Sequence, residues 1–176
     1  GSTRYYNTST NWKNNTLYIG NHLINVRSSV SGAFSVPAGT KAISEDAFFE
    51  CGKITEISIP SSVIGIYDGA FRKCTFLQNI TVAGDNSSYS AKGGILYNKA
   101  GSRLICCPVS NTASTMNVAS NVEKIGDYAF YGCKNLVNIK LSNNANEIGE
   151  YAFYDCNNLS TISVPASVKT IGDWAF

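Results

Sequence analysis

Six cysteines and a single histidine are the residues of this chain with the most chemistry to offer. Cys51, Cys74, Cys133 and Cys156 follow one another at steps of 23, 59 and 23 residues. Such spacing suits a buried ladder of small polarizable thiols, disulfides between adjacent layers, or thiolate ligands of zinc. Zinc fails on spacing, because no C-x-x-C pair exists and His22 is the lone histidine. Disulfides between layers about 4.8 Å apart meet the usual Cα window, but parallel side chains hold the Cβ atoms too far apart. The buried ladder is therefore the expectation. Cys106 and Cys107 are sequence neighbours on a predicted strand, so they point to opposite faces and one thiol is expected outside. A Cys-His nucleophile needs its thiol in an electropositive pocket beside the imidazole; His22, next to the Asn21 turn, reads as a surface histidine. A column of acids, Glu45, Asp68, Asp127, Glu150 and Asp173, can cap the free amides of its own turns or gather oxygens for calcium. No D-x-D-x-D-G loop accompanies it, which favours capping. With no converging acid, base and nucleophile, neither catalytic residues, metal nor cofactor are expected.

What positions these residues is a repeat. Aligning the Ala-Phe pairs at 47–48, 70–71, 129–130, 152–153 and 175–176 gives steps of 23, 59, 23 and 23 residues. Ile43, Ile66, Ile125, Ile148 and Ile171 each precede the alanine by four, and each complete copy carries a cysteine three places after the phenylalanine. The long step contains an insert between Val82 and Val118, whose core "GILYNKAGSRLICCP" has two apolar-rich runs around a Lys-Ala-Gly-Ser turn, the pattern of a β-hairpin. "LYIGNHLINV" at 17–26 has the same format. Residues 54–60 alternate as a short strand, with Ile57 and Ile59 facing one way and Glu56 and Ser58 the other. Prolines at 37, 60 and 165 suit the strand ends, and "IGDYAFYGC" reads as a turn or short helical turn. One coil has no second layer against which to bury its Ile, Ala, Phe and Leu, whereas stacked coils supply it. The predicted fold is a repeat solenoid with short parallel β-strands on one face, turns or short helical segments on the other, and inserted β-hairpins.

The pattern L-x-x-I-x-(I/V)-P-x-S-V-x-x-I-G-(D/E)-x-A-F-x-x-C resembles the BspA-like leucine-rich repeats of bacterial and protozoan surface proteins. "LSTISVPASVKTIGDWAF" at 159–176 matches it almost completely, and the resemblance covers roughly residues 17–176. It implies display at the cell surface or secretion, and adhesion to host proteins, matrix glycoproteins or glycans. The expected layout is a lead-in with a tag remnant over 1–16 and one solenoid over 17–176. Hairpin-bearing coils fall at about 17–50 and 83–133, with plain 23-residue coils elsewhere.

Two faces offer binding. The outward strand positions line up as Ser35, Ser58, Thr81, Asn117, Lys140 and Ser163 in one row. Ala33, Glu56, Asn79, Thr115, Asn138 and Thr161 form the next. This face is polar and small, fit for hydrogen bonds to a glycan or an extended peptide. The other face carries Tyr128, Tyr131, Tyr151, Tyr154 and Trp174, which either form an interface or pack edge-on between coils. Sequons at Asn14, Asn86 and Asn158 would accept glycans in an exported protein.

The chain's 176 residues suffice for one domain, and 44% apolar with 15% charged residues indicates a folded protein. A net charge of +2 with no basic cluster argues against nucleic acid, and no apolar run reaches membrane-spanning length. The chain stops inside a repeat, so a fragment of a longer protein is expected, with self-association through the uncapped end. The expected function is non-catalytic adhesion or macromolecular binding to an extracellular protein or glycan; the alternative is a structural spacer without its own ligand.

Overall fold

The computed structural model describes residues 12–176; Gly1-Ser2 and the rest of 1–11 lie outside the described residues. The chain opens with the antiparallel strands β1 (Trp12–Lys13), β2 (Thr16–Ile19) and β3 (His22–Val26), the last two forming the expected hairpin. Then come β4 (Gly32–Ser35), β5 (Ala42–Ile43), β6 (Ile54–Ile59), β7 (Gly65–Ile66) and β8 (Asn79–Val82). The insert folds as a three-stranded meander of β9 (Tyr89–Lys92), β10 (Ile95–Asn98) and β11 (Arg103–Cys106), one strand more than the sequence suggests. The remaining coils carry β12 (Thr115–Asn117), β13 (Lys124–Ile125), β14 (Asn138–Lys140), β15 (Glu147–Ile148), β16 (Thr161–Ser163) and β17 (Thr170–Ile171). Among the described residues there is no helix. Of the two sequence readings of "IGDYAFYGC", the turn is the one realised.

Each coil contributes two strands. The longer one, anticipated from its alternation, pairs in parallel as β4-β6-β8 and β12-β14-β16. The shorter one, two residues ending in the isoleucine that keeps the repeat's phase, extends the hairpin sheets as β3-β5-β7 and β11-β13-β15-β17. Two residues show no alternation, so this second ladder leaves no period in the sequence.

The turn is built around two left-handed residues per coil. One column is Asp46, Gly69, Tyr128, Tyr151 and Trp174, with φ between 51° and 70°; the other is Glu50, Lys73, Gly132 and Asp155, with φ between 59° and 70°. Each non-glycine there costs about 1–2 kcal/mol. Backbone bonds between coils offset it: Phe48 N donates to Ala70 O (2.9 Å), Phe130 N to Ala152 O (2.7 Å) and Phe153 N to Ala175 O (2.7 Å). The phenylalanines point inward and stack, Phe48 on Phe71 at 5.4 Å and Phe130 on Phe153 at 4.9 Å. Phe48 and Phe130 are fully buried, each worth about 1.5–3 kcal/mol of transfer free energy.

The core is divided in two. One cluster runs from Leu23 to Ile80 and takes in Leu96 and Ile105; the other holds Ile95, Leu104, Cys107 and the residues from Val118 to Ala175. Adjacent residues of β10 and β11 thus serve opposite sides, and the hairpin is a wall buried on both faces. The same wall corrects the expectation that one thiol of Cys106-Cys107 lies outside. Cys107 is buried in the second cluster and the half-buried Cys106 packs against the first. Asn86, fully buried, anchors the entry to the wall. Its Nδ2 donates to Pro60 O and Val63 O, and its Oδ1 accepts from Ser88 N and Tyr89 N, all at 2.8–3.0 Å. That sequon is therefore inaccessible in the folded chain. No helix of the described residues is long and apolar enough to cross a membrane.

Candidate binding faces

The strand register places the predicted sheet-face residues over one another. Ala33, Glu56 and Asn79 are Cα partners in sequence, as are Ser35, Ser58 and Thr81. On the other side of the wall, Thr115 aligns with Asn138 and Thr161, and Asn117 with Lys140 and Ser163. Thr81 Oγ1 lies 3.1 Å from Ser58 Oγ, so hydroxyls bond along the row. Each predicted row of six is two rows of three, however. The free edge of β8 is taken by the insert, where Ile80 N donates to Gly94 O at 3.0 Å. Gly94 sits at φ 79°, and a Cβ there would lie 2.8 Å from Asn79 Oδ1. The left-handed φ is what favours glycine at this seam, since the Asn79 side chain can turn away while the nearest backbone atoms stand at 3.4 Å. Ser35, Asn117, Lys140, Thr161 and Ser163 are exposed, while Glu56, Ser58, Asn79, Thr81 and Asn138 are half-buried.

The aromatic face is a tile of four rings. Tyr128 stacks on Tyr151 (5.1 Å, 3°) and Tyr131 on Tyr154 (5.6 Å, 16°), with crosswise contacts at 5.9 and 5.5 Å. Three of the rings are half-buried, Tyr154 is 37% exposed and Trp174 is 66% exposed. The stack continues across the wall. The Arg72 guanidinium lies 5.3 Å from the Tyr128 ring and 4.9 Å from Phe49, and donates two-pronged bonds of 2.7–3.0 Å to Asp46. The hydrogen bond to that carboxylate holds the Arg72 pKa above its ordinary value. Partial burial raises the Tyr128 hydroxyl against the opposing pull of Arg72. Sequence reasoning does not single out Arg72, Phe49 and Lys73; their signal is the register itself, since they occupy the positions of Tyr131 and Gly132 one or two coils earlier.

The acidic column does not cap its own turns. Asp127 Oδ1 accepts from Glu150 N of the following coil at 2.9 Å, and Asp68 pairs with Arg103 Nη2 at 2.6 Å. Stacking at strand spacing puts the next coil's amide within reach, and Arg103 on the wall enters the column between Asp68 and Asp127. Among the described residues no group of three His, Cys, Asp or Glu side chains is placed to hold a metal ion.

The thiols are structural donors. Cys51 Sγ donates to Val26 O (3.3 Å), Cys74 to Phe48 O (3.1 Å) and Cys156 to Phe130 O (2.9 Å). All six are free cysteines. Burial pushes Cys51 and Cys156 up to about 11 and raises Cys74 and Cys106 further. Contact with the Cys107 side chain, then burial, raises Cys133. A protonated, buried thiol is a poor nucleophile, and His22 is exposed on β3.

A BspA-type leucine-rich repeat region, in six copies, matches residues 4–98 and 107–176. Among solved structures, a leucine-rich repeat protein from Eubacterium ventriosum is similar at 32% identity with a TM-score of 0.78, covering 80% of this chain and 38% of that one. The pneumococcal vaccine antigen PcpA shares the fold at 22% identity and a TM-score of 0.70, over 80% of this chain and 47% of its own. A leucine-rich cell surface protein from Faecalibacterium prausnitzii does so at 23% identity and 0.60, over 85% and 51%. The chain thus spans between 38% and 51% of the length of these three. A comparison with curated proteins returns no match.

Proposed function

Because the chain belongs to the BspA-type leucine-rich repeat family, we propose that it is a non-catalytic binding module, displayed at the cell surface or secreted, that holds an extracellular protein or glycan along its sheet face. The observation carrying this reading is the pair of in-register rows on each side of the wall. They offer hydroxyl, amide, carboxylate and ammonium groups at regular spacing on a rigid backbone. An extended ligand with its own repeat can bond to successive coils at little ordering cost, since the side chains are short and the strands already fixed. The raised thiols and the exposed His22 support the non-catalytic part. The surface placement follows the family resemblance and agrees with the name of one fold relative, the leucine-rich cell surface protein.

The test is immobilised binding to matrix glycoproteins and to a glycan array. Saturable binding weakened at least about tenfold by Asn138→Ala with Lys140→Ala supports the reading, a loss of about 1.4 kcal/mol. Silence across broad panels favours a spacer module, and binding indifferent to the double variant moves the site to another face.

A further inference from the structure

The turn face has a gap where the wall meets it. Cys107 N donates to Ala129 O and Ser110 N to Leu77 O, so residues 107–110 occupy the place of a whole turn between two coils without projecting an aromatic ring or a left-handed bend. The result is a cleft of about 340 Å³ with Val109 among its lining, within the range of small-ligand sites. Glu50 and Lys73 stand on one side, Tyr131, Lys134 and Asp155 on the other.

From this geometry we propose that the cleft is a saccharide site for a neutral, hydroxyl-rich sugar. Tyr131, half-buried and stacked on Tyr154 of the following coil, contributes its ring to the cleft lining. Rings of this kind pack against the apolar face of a pyranose as they pack against other apolar surfaces. The rim is balanced in sign on each side. Lys73 Nζ lies 3.3 Å from Glu50 Oε1 on one side; Lys134 and Asp155 both line the other, where Asp155 Oδ1 accepts from Asn157 at 2.7 Å. An anionic ligand meets two carboxylates and a cationic one meets two ammonium groups, whereas hydroxyls both donate and accept and so satisfy all four. Glu50, Lys73 and Asp155 also hold left-handed backbone, at φ 59–60°, in the column where Gly132 shows the unstrained choice. The chain therefore keeps charged side chains at the rim where glycine is sterically easier.

This site is separate from the sheet face, so its test is independent of the reading above. Lactose, maltose and cellobiose are titrated into isotope-labelled protein, with sialyllactose and a tyrosine-containing peptide as comparators, following the Val109 methyl and Tyr131 ring signals. A neutral disaccharide is expected to shift both saturably. Tyr131→Ala weakens binding at least about tenfold, a loss of about 1.4 kcal/mol, Tyr131→Phe retains it, and Asn138→Ala with Lys140→Ala leaves it unchanged. If Tyr131→Ala fails to fold, Lys134→Ala with Asp155→Ala, both on exposed positions, must weaken binding instead. The proposal is overturned if no neutral disaccharide shifts these signals, if only sialyllactose or the peptide does, or if binding survives loss of the ring or of both rim charges.

Discussion

The thiol of Cys74 donates to the carbonyl of Phe48, 3.1 Å away and 26 residues earlier in the chain. The same bond joins Cys51 to Val26 and Cys156 to Phe130, so the cysteine column sews each turn to the one before it. Cys51 N also donates to Phe48 O, at 3.0 Å, and removing the Cys74 thiol leaves that carbonyl satisfied. Cys74→Ala is expected to cost about 1–2 kcal/mol, the sum of one modest hydrogen bond and a small void. Denaturant titration of the reduced protein measures it; an unchanged midpoint would show the thiol to be a filler only.

Alkaline pH should destabilise the protein. Thiols whose folded pKa lies above their ordinary 9.0 contribute stability that is fully present below that value and is lost as pH rises toward about 11. Burial raises Tyr18, Tyr89 and Tyr97 as well, with the same sign. The thermal midpoint is expected to be flat from pH 7 to 9 and to fall above it, less steeply in Cys51→Ala with Cys156→Ala. A midpoint that rises above pH 9 contradicts the burial of these groups.

Two glycines beside the phase isoleucines, Gly149 after Ile148 and Gly65 before Ile66, should answer differently to the same substitution. At Gly149 a Cβ would lie 2.6 Å from Asp127 N and 2.7 Å from Gly126 C of the preceding coil, whereas at Gly65 the nearest atom is Ala42 Cβ at 3.6 Å. Gly149→Ala is expected to destabilise by about 1–3 kcal/mol, as overpacking does. Gly65→Ala, with ordinary contact, is expected to stay within about 0.5 kcal/mol of the parent. Equal effects in thermal unfolding would mean that close approach is not what selects glycine.

Asn86 is the keystone of the wall's entry. Asn86→Ala removes four hydrogen bonds at a fully buried position; Pro60 O keeps its bond from Val63 N, while Val63 O and the amides of Ser88 and Tyr89 lose the partner the side chain gave them. A loss of about 3 kcal/mol or more is expected. A loss under about 1 kcal/mol, read from the denaturation midpoint, would show that water replaces the side chain.

Much of this architecture is legible in the chain. The step of 23 residues defines the coil, and because side chains in a strand alternate, the same step sets Glu56 beside Asn79 and Asn138 beside Thr161, as the strand register has them. What stays hidden has physical reasons. The apolar pairs Ile95-Leu96 and Leu104-Ile105 are compatible with a strand covered on both faces, but nothing local says that two separate cores supply the cover. Arg103 reaches Asp68 across 35 residues outside the repeat's phase, so no period connects them. The cleft at Val109 is the absence of a turn, which only the stacking of its neighbours makes visible.

Nuclear Overhauser contacts between the isoleucine methyls test the central claim most directly, namely that coils one period apart lie in register on each side of a hairpin wall. Cross-peaks are predicted between Ile57 and Ile80 and between Ile139 and Ile162, with none from Ile80 to Met116, because β8 gives its edge to the insert. Loss of the first two, or a strong cross-peak joining Ile80 to Met116, would contradict the stacking on which the rest depends.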